Sequence, residues 1–168
     1  AIDADPRVYE HFTNNPECAV GIWRVLEISQ FTMTQQSPTE WFGDAGDGSN
    51  GTIEVLYRSP TQHLLLCEGQ YKNPLVTTPI KARALMHLRT NPTAQVDGEN
   101  RIVHDLDLFV MFPSQTVETV ARVISPLSNI IADRNFRELS LFVRFMSVAM
   151  QRQPGWVERI SNQLEGVL

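Results

Sequence analysis

Two stretches decide the fold: Ile80-Lys81-Ala82-Arg83-Ala84-Leu85-Met86-His87-Leu88-Arg89 and His104-Asp105-Leu106-Asp107-Leu108-Phe109-Val110-Met111-Phe112. In the first, Ile80, Ala82, Ala84, Met86 and Leu88 alternate with Lys81, Arg83, Leu85, His87 and Arg89. In the second, His104, Leu106, Leu108, Val110 and Phe112 alternate with Asp105, Asp107, Phe109 and Met111. Period two with one apolar row marks a half-buried strand. The two stretches predict an antiparallel pair with one face on a core. Matching the apolar rows puts Met86 opposite Leu106 and His87 opposite Asp105. A slip by one residue would turn Asp105 and Asp107 onto the apolar face.

Upstream, the pattern continues as strands. Phe31 and Met33 begin an extended segment of about residues 28–35. Thr39-Glu40-Trp41-Phe42 and Thr52 to Arg58 flank a connection with four glycines, Asp44-Ala45-Gly46-Asp47-Gly48-Ser49-Asn50 at its centre, which reads as a hairpin turn. His63 to Tyr71 gives the next strand. Asn73 to Pro79 reads as a loop, and Thr90 to Asn100, with Asn91-Pro92 and Asp97-Gly98, as the connection between the two deciding strands.

Both ends of the chain read as helical. Asp5-Pro6 is a helix start, a capping carboxylate before a proline at the first helical position. Asn15-Pro16-Glu17 repeats it. Helices are predicted over about 6–13 and 16–27. After Pro113 the period changes. A helix over about 115–124, capped by Ser114, a restart at Ser125-Pro126, a long helix to about 152 kinked near Asp133-Arg134-Asn135, and a last helix from Pro154 to about 165 are predicted. The expected fold class is α+β. An antiparallel sheet of about five to six strands is flanked by N-terminal helices and packed against long C-terminal helices, all in one domain over residues 1–168.

Composition narrows function. Apolar residues make up 42% and charged residues 20%, as in an ordinary globular chain with a real core. The net charge of -5 argues against nucleic acid as the main partner and weakens attraction to anionic lipid surfaces. No apolar run approaches the roughly 20 residues that span a bilayer. The chain starts at Ala1 without an initiator Met, which fits a processed, tag-cleaved or excised form, export among them. Cys18 and Cys67 fit neither metal spacing nor a redox motif. Two buried thiols are expected, with a single disulfide open if the protein is exported.

Candidate chemistry is sparse. The Asp44–Gly51 segment fails as a calcium loop in both registers and as a phosphate loop. Asn50-Gly51-Thr52 matches a glycosylation sequon, although the turn explains it better. Cys18 near a helix start is a candidate nucleophile opposed by Glu17. His87 and Asp105 form a candidate polar pair able to orient a general base, against the plainer reading of an outer-face charge pair. No catalytic residue, metal ligand or cofactor is assigned. Phe136, Phe142, Phe145 and Met146 crowd the long helix, where such side chains fill a core or line an adaptable pocket. Arg137, Arg144 and Arg152 form a polar stripe on it.

The layout, a curved antiparallel sheet followed by a long C-terminal helix, resembles the helix-grip class, the START and Bet v 1-like proteins, and the half-barrel periplasmic lipoprotein carriers. It differs in beginning with helices. The resemblance implies an apolar ligand held between sheet and helix. The lining expected for it is Ala82, Ala84, Met86, His104, Leu106, Leu108, Val110, Phe142 and Met146. The first functional expectation is thus a non-enzymatic domain that binds an apolar or amphipathic, lipid-like small molecule. The alternatives are an interaction domain with a filled core, homo-oligomeric through its helices, and a hydrolase or isomerase using His87–Asp105 or Cys18.

Overall fold

The computed structural model describes residues 1–72, 79–96, 99–113 and 117–164. Two helices open the chain, α1 (Pro6–Asn14) and α2 (Pro16–Val25). Six strands follow: β1 (Thr32–Ser37), β2 (Glu40–Asp44), β3 (Ser49–Ser59), β4 (Gln62–Tyr71), β5 (Ile80–Val96) and β6 (Glu99–Met111). Helices α3 (Val117–Arg152) and α4 (Pro154–Leu164) close it. The α+β class is as the sequence implies. The strands form one antiparallel sheet in chain order, β1-β2-β3-β4-β5-β6, each paired with its sequence neighbour.

The helix starts follow local chemistry. Asp5 caps α1 by accepting from the Arg7 amide at 2.8 Å, and Pro6 fills the first position. The Asp5 amide itself donates to Ser147 Oγ at 3.1 Å, which ties the start of α1 to α3. Asn15 behaves differently from its sequence signal. Its side chain donates back to the His11 carbonyl at 2.9 Å and makes no cap bond to α2. Helix α2 ends two residues earlier than expected, in a Schellman turn. The Ile28 amide reaches back to the Trp23 carbonyl and the Glu27 amide to Arg24, with Glu27 at φ 56° where glycine is usual. That turn delays β1 to Thr32.

The connection between β2 and β3 is a turn closed by its own acids. Asp44 accepts from the Gly46 amide and Asp47 from the Ser49 amide. Gly48 has φ +96°, and a Cβ there would lie 2.0 Å from the Lys72 carbonyl oxygen. Across the sheet, Gly43, Gly51, Gly69 and Ala82 stand side by side in register. This row has almost no side chains, and the Phe31 ring lies over Gly43.

Two irregularities set what each strand presents. In β3, Val55 pairs with Leu65 but Tyr57 pairs with Leu64, so Leu56 is an extra, bulged residue. Beyond it the parity of β3 reverses, and Arg58, opposite His63, joins the inner row. In β5, a second bulge lies between Asn91 and Ala94. It takes up Pro92, which cannot donate to a ladder. The strand therefore runs on to Val96, through the segment read as a loop.

That extension corrects the register of the deciding pair. Val96 stands opposite Glu99, and the bulge carries the pairing down to Met86 opposite Leu108 and His87 opposite Asp107. The faces are as expected, but the pairing is offset by two residues. Nor are the two strands both central: β6 is an edge of the sheet. The chain start covers part of that edge through a bridge between Ile2 and Ile102, with hydrogen bonds of 2.8 and 3.0 Å. Ile102 is fully buried there.

Helix α3 runs unbroken through the expected restart at Ser125-Pro126 and the expected kink at Asp133–Asn135. A proline removes one helical hydrogen bond and bends the axis without having to end it. The cap expected at Ser114 and the turn at Asp97-Gly98 lie outside the described residues. The core joins both ends of the chain. Val8, Tyr9 and Phe12 of α1, Ala19 and Ile22 of α2, Ile102 of β6, Val143 and Met146 of α3 and Ile160 of α4 form one buried apolar cluster. Among the described residues no helix is long and apolar enough to cross a membrane.

Candidate functional site

The inner face of the sheet and the helices enclose a cavity of about 350 Å³. Its floor is the inner row of the strands: Met33, Trp41, Ile53, Val55, Leu65, Met86 and Leu88. Its roof is Tyr9, Phe12, Ala19, Val20 and Trp23 from α1 and α2, with Phe136, Leu139, Phe142 and Val143 from α3. Aromatic edges hold the roof together. The Phe142 ring meets Phe12 at 5.2 Å and Trp23 at 5.4 Å between centroids. Trp41, 2% exposed, satisfies its indole N–H on Glu17 of α2 at 2.7 Å. That bond ties the floor to the roof.

One polar cluster interrupts the apolar lining. His104 contacts Tyr9 Oη through Nδ1 and Ser140 Oγ through Nε2, each at 3.1 Å. Tyr9 Oη also meets Thr90 Oγ1 at 3.1 Å, and Ser140 donates to the Phe136 carbonyl at 2.7 Å. These bonds fix the proton positions. Ser140 has spent its only proton, so it accepts from His104 Nε2–H. Burial, and then the amino group of Ala1, push the imidazole pKa down, so Nδ1 is bare and accepts from Tyr9. The Phe136 ring lies 4.5 Å from the imidazole. Every polar group in the cluster is satisfied, and none is poised as a free base.

The predicted lining divides. Met86, His104 and Phe142 line the cavity. Ala82 instead borders a separate depression of about 490 Å³ over the glycine row, with Phe31, Cys67 and Phe112. Met146 is packed between helices and also lines a groove of about 680 Å³ bounded by all four helices. Ala84, opposite Cys67 and Val110, and Leu106, opposite Leu88, lie on the inner face but do not line the cavity. Leu108 and Val110 were expected in an enclosed lining, yet they are 40% and 46% exposed. The two-residue offset and the edge position of β6 move them out from under the helices.

The candidate catalytic groups do not converge. His87 Nε2 reaches Gln62 at 3.3 Å and stands opposite Asp107, not Asp105. Asp107 is paired instead with Arg89 at 3.0 Å. Asp105 lies opposite Arg89 on the same outer face. Burial and neighbouring Glu17 push the Cys18 thiol up, away from the thiolate a nucleophile needs. Burial likewise pushes the Cys67 thiol up to about 11, and its sulfur lies 3.4 Å from that of Met86. Both cysteines are free. Among the described residues no group of three or more His, Cys, Asp or Glu side chains is placed to hold a metal ion. Arg137, Arg144 and Arg152 are solvent-exposed.

The sequence reading puts Trp23 and Trp41 on the same core as Phe142, and all three line the cavity. Arg58 escaped it, because it reaches the cavity only through the bulge at Leu56. The bulge has no glycine or proline to announce it. Comparison with protein-family models, curated proteins and solved structures finds no match for this chain.

Proposed function

We propose that this chain is a non-enzymatic binding domain for an apolar or amphipathic small molecule. The observation that carries the reading is the cavity of about 350 Å³ between sheet and helices. Its size falls in the range of ligand pockets, roughly 300–1,000 Å³, and such pockets are mainly apolar with a few placed polar groups. The Tyr9–His104–Ser140 cluster is of that kind, satisfied internally and able to orient a ligand without reacting with it. The resemblance of the layout to the helix-grip class points the same way and adds nothing independent.

The test uses Nile red, an uncharged probe, beside native mass spectrometry of protein purified without added ligand. Uptake should raise the dye's fluorescence with saturation at one site. Ala19→Leu, which projects into the cavity from α2, should weaken uptake at least several-fold while lowering Tm little, because it occupies existing space. In a filled core the same change would overpack and cost about 1–3 kcal/mol. A large loss of Tm without dye uptake by either protein would reject the binding domain in favour of a filled-core interaction domain.

A further inference from the structure

The bulge in β3 places one charge in an otherwise uncharged cavity. Without the extra residue Leu56, the inner row of β3 would continue from Ile53 and Val55 to Tyr57. With it, Tyr57 turns outward beside Leu64, and Arg58 turns inward beside His63. Bulges commonly re-aim a side chain in this way. Among the described residues, Arg58 is the only ionisable side chain lining the cavity apart from His104 and Tyr9, whose polar atoms are already committed. It is solvent-exposed as well as cavity-lining, so it stands where the cavity opens. It takes part in no ion pair among the described residues.

A second observation lies directly across the ladder. His63 is 7% exposed, and neither of its ring nitrogens has a hydrogen-bond partner among the described residues. A buried polar group with nothing to bond is costly and uncommon in a folded chain. Arg58 and Glu10 of α1 are the charges that act on it, with opposite sign. At the rim of the apolar cavity thus stands a guanidinium in no ion pair among the described residues, and across the ladder from it a buried imidazole with no hydrogen-bond partner among them.

We propose that this corner is a head-group site, and that the ligand is an anionic amphiphile, a single apolar chain ending in a carboxylate. This deepens the binding reading above and rests on it. The chain would lie among Val55, Leu65, Met86 and Leu88, with its head on Arg58. A carboxylate matches the planar fork of one guanidinium and takes two parallel N–H bonds from it. One arginine balances one negative charge, and the protein's net charge of -5 opposes a head group carrying more.

The experiment is displacement of Nile red at about pH 8 by laurate, where the carboxylate is ionised, and by dodecanol, its uncharged counterpart. Wild type should prefer laurate by roughly tenfold, as expected for one charge-assisted contact. Arg58→Gln should erase the preference by weakening laurate far more than dodecanol, and should leave Tm unchanged, since Arg58 is exposed. Arg58→Lys should retain part of it. Equal displacement by the two compounds, unaltered in Arg58→Gln, would overturn the head-group site and leave the binding domain standing. If neither compound displaces dye that does bind, the amphiphile is the wrong class and the proposal falls. If Nile red itself is not taken up, the binding domain falls and takes this inference with it.

Discussion

Both ring nitrogens of His104 are engaged, by Tyr9 and Ser140, whereas those of His63 have no partner among the described residues. Burial lowers the pKa of both rings. The Ala1 amino group also lowers His104 while Asp105 opposes it, and Arg58 lowers His63 while Glu10 opposes it. The unfolded chain therefore binds more protons than the folded one between the folded values and the ordinary histidine value. Stability is complete above about pH 6.5 and is lost as pH falls through the folded values. Thermal melts from about pH 7.5 down to 5.5 should show Tm falling in wild type and falling less in His63→Gln. A Tm level across that window, or an equal slope in the variant, would show that His63 is not the group being protonated. The sequence announced these two residues unequally. His104 stands on the apolar row of an alternating strand, which marks it for the inner face. His63 opens the run His63-Leu64-Leu65-Leu66-Cys67, apolar on both faces, so nothing told which side it would take.

At the scale of elements, the glycine row explains why β2, β3 and β4 approach so closely. A Cβ on Gly51 would lie 2.4 Å from the Glu68 carbonyl oxygen and 2.7 Å from the Gly69 Cα, both backbone atoms that cannot swing away. Gly51→Ala should cost about 1–3 kcal/mol in urea unfolding, the range for overpacking. Gly46→Ala offers a contrast, because nothing lies within 4 Å of its Cβ position and only its φ of +76° resists the change. A Gly51→Ala loss no greater than that of Gly46→Ala would mean the strands separate freely. Strand identities were legible here because alternation is local. Registers were not, because the bulges at Leu56 and between Asn91 and Ala94 depend on the partner strand. Pro92 made the residues around it look like loop, which hid the length of β5. Trp23, Trp41 and Phe142 were legible as members of one core, and all three line the cavity. Arg58 was not legible there, since its inward turn depends on the bulge at Leu56.

For the whole molecule, the order of the strands separates two kinds of contact. Every strand pair joins sequence neighbours through a short connection. The roof does the opposite: Asp5 bonds Ser147, 142 residues away, Tyr9 bonds His104, 95 away, and Ile2 bridges Ile102. Closing a longer loop costs more entropy, and contacts distant in sequence are slow to form. Refolding should therefore zip the hairpins first and dock the two termini last. Pulse-labelled amide exchange would show this as protection of β3, β4 and β5 before the amides of Ile2 and Ile102; simultaneous protection would mean that sheet and roof condense together. The consequence reaches the cavity itself. Its floor exists as soon as the hairpins pair, but it stays an open trough until the first and last segments of the chain arrive. Under the proposed binding function, a hydrophobic guest would have a window during maturation in which to settle on the sheet before the lid is laid over it, and loading would not have to wait for the finished fold to breathe.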